Sequence, residues 1–137
     1  MIKKIKQLIT VPAMMLLIAV MTLFYSGYRA ELNQQNQTAR SAGFEVLKAL
    51  NELQMIIDAQ RYTPKHAPNF LDGWNEVLLI DDMSDFINVG VQTQAQALHQ
   101  VWQSNFENLQ NDTANEAITT AIKRTRTSLK QAIYNLH

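Results

Sequence analysis

The sequence contains no cysteine. That single absence excludes disulfides, thiolate metal sites, thiol nucleophiles and a lipoprotein-type anchor. Glycine and proline are sparse, four and three in 137 residues, so long stretches are free of helix breakers. Catalytic signatures are missing as well: there is no G-x-S-x-G, H-E-x-x-H, G-x-G-x-x-G or G-K-[ST] run. A nucleophile elbow, a zincin helix and the phosphate-cradling loops therefore have no candidate residues. The expectation is a protein that is not an enzyme and that uses no cofactor and no metal.

Two gaps in charge organise the rest. The first runs from Gln7 to Tyr28, 22 residues between Lys6 and Arg29 with no charged side chain. At ~1.5 Å per residue such a helix covers the ~30 Å hydrocarbon core of a bilayer. Leu8, Met14, Leu16, Leu17, Ile18, Val20, Leu23 and Phe24 are its apolar substance. Thr10, Pro12 and Thr22 are its soft spots. Pro12 reads as lying near the helix start, where a missing N–H matters least. The two threonine hydroxyls are expected to bond back to their own helix. Tyr25 and Tyr28 suit the headgroup level.

Lys3, Lys4 and Lys6 precede this run, and only Arg29 follows it closely. The positive-inside rule then makes 1–6 a cytoplasmic tail, 7–28 a transmembrane anchor and 29–137 the outer part. A lysine-flanked anchor of this kind suggests a bacterial inner membrane with residues 29–137 in the periplasm. A cleaved signal peptide fits less well. The apolar run exceeds the usual ~7–15 residues, and both Tyr25-Ser26-Gly27 and Tyr28-Arg29-Ala30 put tyrosine where cleavage wants a small residue.

Beyond the anchor the pattern is helical. Ala39, Ala42, Val46, Leu50, Leu53 and Ile57 recur at three and four, one face of a helix. The membrane helix is expected to continue to about residue 60, making 29–61 a stalk and first bundle helix. Residues 62–73 read as a Pro-containing connection. Residues 74–137 read as a short helix followed by an antiparallel helical hairpin. Asn69 or Asp72 is a candidate cap for the short helix, and Ser84 or Asp85 for the one after it. That next helix has its stripe at Ile87, Val91, Ala95, Leu98, Trp102, Phe106 and Leu109, to about Gln110, and Gly90 marks a kink or a start. Thr113 and Glu116 are spaced as a capping box for the last helix, whose stripe runs from Ile118 to Leu136. No second strand is apparent. The fold class is all-α: a transmembrane helix continuing into a small bundle of three helices, or four if 72–82 counts.

The second gap is the absence of any Lys or Arg between Lys65 and Lys123. Residues 30–137 hold eight Lys and Arg against all twelve Asp and Glu, a net charge of −4, which argues against nucleic acid as a partner. Asp72, Glu76, Asp81, Asp82 and Asp85 lie within this gap. They lack the calcium-loop spacing, and a solvated helix start is the plainer reading than a cation site. His66, His99 and His137 have no nucleophile to activate and read as surface or half-buried residues. Trp102 and Phe106 fall on the core stripe, whereas Trp74 is less explained by it. The partner-binding candidates are therefore Trp74, Glu76, Asp81, Asp82 and Asp85. The basic run Lys123–Lys130 reads as a solvated face pairing with Glu45 or Glu52. The functional expectation is a single-pass accessory or scaffolding subunit that binds a partner protein, or itself as a homo-oligomer, in the cell envelope. The alternative is a ligand-sensing or inhibitory, immunity-type periplasmic domain.

Overall fold

The computed structural model describes residues 2–136, so Met1 and His137 lie outside the described residues. The chain forms α1 (Ile2–Tyr62), a 3₁₀ turn (Pro64–His66), α2 (Phe70–Ser84), α3 (Val89–Asn105), a second 3₁₀ turn (Phe106–Asn108) and α4 (Asp112–Tyr134). No strand occurs among the described residues. Two compact units divide the chain, 1–36 and 37–137, and α1 contributes to both.

The first unit is helix alone. Every side chain from Lys6 to Gln35 is exposed, including Leu16, Leu17, Ile18 and Phe24. Among the described residues α1 is the one helix long and apolar enough to cross a membrane. The hydroxyl of Thr10 donates to the Lys6 carbonyl at 2.8 Å, and that of Thr22 to the Ile18 carbonyl at 2.8 Å. Both bonds are the ones expected of threonine in an apolar helix. Pro12 is not near the helix start. It lies inside α1, because the lysine-rich turns before it are themselves helical and nothing there halts the helix. The Arg29 guanidinium stands 5.5 Å from the centre of the Tyr25 ring.

The second unit is a four-helix, up-and-down bundle. From residue 37 onward α1 packs antiparallel to α4. Gly43 lies against Ile133 and Leu129, Asn115 Nδ2 donates to the Ile57 carbonyl at 2.9 Å, and Arg61 pairs with Asp112 at 3.1 Å. On the other side of α1, Gln60 Nε2 donates to the Pro68 carbonyl at 2.7 Å, where α2 begins. Gly73 of α2 meets Trp102 of α3, and Thr125 of α4 donates to the Gln94 carbonyl of α3 at 3.3 Å. Each helix therefore has two neighbours, and the ring α1–α2–α3–α4 closes. Its core is Val46, Leu50, Leu53, Ile57, Val77, Ile80, Val91, Leu98, Trp102, Ile118, Ile122 and Leu129. Each such side chain contributes ~1.5–3 kcal/mol of burial against the entropy of ordering the chain.

Several local expectations are corrected. The helix placed at 74–80 is a full element of 15 residues beginning at Phe70, so the connection is shorter than 62–73. Asn69 caps α2, accepting from the Leu71 amide at 3.3 Å, and the inward series Gly73, Val77, Ile80, Ser84 is buried. Ser84 therefore ends α2 and does not cap α3; its hydroxyl donates to the Asp81 carbonyl at 2.6 Å. Asp85 continues the right-handed backbone. The true cap of α3 is Asn88, extended, with Oδ1 accepting from the Val91 amide at 2.8 Å. The start near Gly90 stands as expected, but α3 stops at Asn105 rather than near Gln110. The Thr113–Glu116 capping box does not form. Asn111 adopts the extended cap conformation and accepts from the Thr113 and Ala114 amides at 2.8 and 3.4 Å, so Thr113 is already helical.

Candidate functional site

The polar face of α1 carries Lys48 and Glu52 one turn apart, and α2 presents Glu76 toward them. Burial of the Glu76 carboxyl, above all, raises its pKa from 4.5 to about 7. A hydrogen bond to Glu52 and repulsion from the Glu52 charge push the same way; Lys48 opposes them and Asp72 adds to them. A neutral Glu76 can share a proton with the Glu52 carboxylate, whereas a charged one is repelled by it. They border a groove of about 470 Å³ whose lining also includes Met55, Ile56, Ala59 and Pro68. Met55 is 70% exposed. The groove thus combines an apolar surface with an acidic edge, an arrangement suited to a partner with a cationic group beside an apolar one.

Of the five partner-binding candidates, only Glu76 lines this groove. Trp74 is half-buried in a ring cluster, edge-on to His99, Trp102 and Phe106 at 5.6, 6.3 and 5.4 Å between centres. Asp81 turns to α3, with Oδ2 3.1 Å from His99 Nδ1. Asp85 accepts from Gln92 Nε2 at 3.2 Å, and Asp82 is exposed. A helix rotates about 100° per residue, so acids adjacent in sequence are dealt to different faces and form no single cluster. Among the described residues no three His, Asp or Glu side chains come together as a cation cage. His66 is exposed and His99 half-buried.

The pairing of the basic run with Glu45 or Glu52 is also corrected. Arg126 Nη2 donates to Asn51 Oδ1 at 2.6 Å. Asn51 stands on the α4 side of α1, while Glu52, one residue on, is turned to α2. Lys123, Arg124 and Lys130 are exposed. Together with Gln94, Thr120, Thr127, Ser128 and Gln131, Lys123 and Arg124 line an α3–α4 groove of about 430 Å³. A third hollow, of about 560 Å³, opens where the α1 end meets the α3–α4 turn, between Phe70, Phe106 and the amides of Gln60 and Asn111.

Glu52 is the site residue that the sequence pointed to least. The sequence directs it to the basic run of the last helix, and only the Lys48-x-x-x-Glu52 spacing marks it on the polar face of α1. Nothing local announces that Glu76, 24 residues later, returns to it. Comparison of the chain with protein-family models, with curated proteins and with solved structures returns no match.

Proposed function

We propose that this chain is a membrane-anchored, non-enzymatic accessory or scaffolding subunit that binds a protein partner through the α1–α2 groove of its helical bundle. The first unit supports the anchor: an apolar helix whose side chains have no protein to bury them finds its natural solvent in lipid. The lysines before it and the lone arginine after it favour a cytoplasmic N-terminus and a periplasmic bundle in a bacterial inner membrane. The observation that carries the binding surface is the Glu52–Glu76 pair at the edge of an apolar groove. A carboxyl shifted by burial and a like-charged neighbour in a cleft, as Glu76 is, is a candidate for ligand contact.

The test is purification of the full chain from detergent extract beside its Glu76→Gln and Asp72→Asn variants. Stoichiometric recovery of a membrane partner with the parent, lost with the variants at unchanged helicity, supports the groove. Equal recovery with all three removes it. Trp74→Ala is unsuitable, because Trp74 belongs to the ring cluster. A second reading, a ligand-sensing or inhibitory domain, is favoured by the hollow between Phe70 and Phe106. Its size falls within the ~300–1,000 Å³ of small-molecule sites.

A further inference from the structure

α2 and α4 occupy opposite corners of the bundle, since each is flanked by α1 and α3. They carry opposite charge. α2 holds Asp72, Glu76, Asp81 and Asp82 and no Lys or Arg, while the second half of α4 holds Lys123, Arg124, Arg126 and Lys130 and no Asp or Glu. The ion pairs among the described residues are Arg61–Asp112 and His99–Asp81, so the exposed cations of α4 meet no carboxylate of the described residues. Each charge lies along a groove. The α1–α2 groove has Glu52, Asp72 and Glu76 in its lining; the α3–α4 groove has Lys123 and Arg124 and no carboxylate. The two grooves follow opposite edges of the ring and so open on opposite faces.

We propose that the acidic α1–α2 groove of one copy receives the basic α3–α4 face of a second copy of this chain. The proposal rests on the reading of that groove as the binding surface of an anchored protein. A basic partner of another kind leaves the α4 face idle, and anionic lipid leaves the α2 face idle; self-association uses both. Because the two surfaces differ, the contact is heterologous and repeats from copy to copy, giving rows or closed rings. Confinement to one membrane raises the mutual concentration of the copies, so a weak and salt-screened contact is enough.

The cysteine-free chain gives a clean test. Full-length Met55→Cys and Thr127→Cys variants, one in each groove, are reconstituted singly and together in phosphatidylcholine vesicles and treated with a short bismaleimide. Mixed vesicles are expected to yield a dimer that neither variant yields alone. The double variant is expected to yield a ladder of higher species. Raising salt to about 0.5 M, where the Debye length shrinks to a few ångströms, removes the product. Lys123→Glu/Arg124→Glu on the Thr127→Cys chain lowers it about tenfold. Glu52→Lys/Asp72→Lys on the Met55→Cys chain restores it, with helicity checked throughout by circular dichroism. Like-with-like dimers as abundant as mixed ones, or no mixed product in neutral vesicles, overturn the proposal. Flotation of the vesicles reads the anchor separately. If the chain floats without mixed product, the anchored reading stands and the self-contact falls. If it does not float, the anchor falls, and the same cross-link pattern on the soluble chain decides the self-contact.

Discussion

Gly73 of α2 lies against the indole of Trp102, and a Cβ built on Gly73 would overlap the benzo edge of that ring. Trp102 is wholly buried and has no room to retreat. Glycine inside a helix normally costs ~1 kcal/mol relative to alanine, so its presence here reflects close approach of α2 to α3. Gly73→Ala is expected to destabilise the bundle by about 1–3 kcal/mol, the usual range for overpacking, read as a lower urea midpoint. Trp102→Phe in the same chain should recover part of that loss. By contrast, a Cβ on Gly27 meets nothing within 4 Å, and Gly27→Ala should leave the bundle's midpoint unchanged.

The Glu52–Glu76 pair sets a pH dependence. The folded state holds the Glu76 proton more tightly than the unfolded chain, with a pKa of about 7 against 4.5. Its contribution is therefore fully present below pH 4.5, declines as pH rises and is gone above about 7, the direction that proton linkage requires. Urea midpoints should fall across that window, and both Glu76→Gln and Glu52→Gln should flatten the fall. A parent whose stability rises from pH 5 to pH 8, with no change in slope in Glu76→Gln, contradicts the pairing.

Much of this architecture is legible in the residues, and the failures have physical causes. The three/four spacing of Val46, Leu50, Leu53 and Ile57 needs no tertiary information, because one buried stripe fixes one helix face. The caps were harder to place. Ser84, Asp85 and Thr113 are competent cap residues, but α2 still holds Ser84 and Asp85 so that Asn88 opens α3, and Asn111 opens α4 before Thr113 is reached. The groove was harder still. Glu76 reads as one of five acids until helix packing turns it to Glu52, and Trp74 reads as unexplained until Trp102 and Phe106 arrive beside it.

Asn115 is buried at 2% exposure, with its amide donating to the Ile57 carbonyl at 2.9 Å and toward the Leu109 carbonyl at 3.5 Å. It joins α4 to α1 and to the turn before it. Asn115→Leu should cost about 1–2 kcal/mol through the lost hydrogen bond. Asn115→Asp should cost about 3 kcal/mol or more, because a buried carboxylate would face carbonyl oxygens. Thermal unfolding of the two variants checks the order; an Asn115→Asp loss no larger than that of Asn115→Leu would mean that no carboxylate is forced against those carbonyls.

Leu17 lies near the middle of the apolar stretch and is exposed. In a bilayer, Leu17→Arg should weaken insertion by about 3–4 kcal/mol. Carbonate extraction of membranes should then release the variant while the parent stays bound. Release of both to the same extent would argue against a lipid-seated helix.

Among the described residues no φ is positive, glycines included, and no peptide bond is cis. The reversals between helices are built from 3₁₀ turns, extended caps and ordinary right-handed backbone. No turn therefore depends on a residue type that only one amino acid can supply. Drift at these connections should be nearly silent, and related chains are better sought by the small-residue notch in the second helix and the asparagines opening the last three than by any shared loop wording.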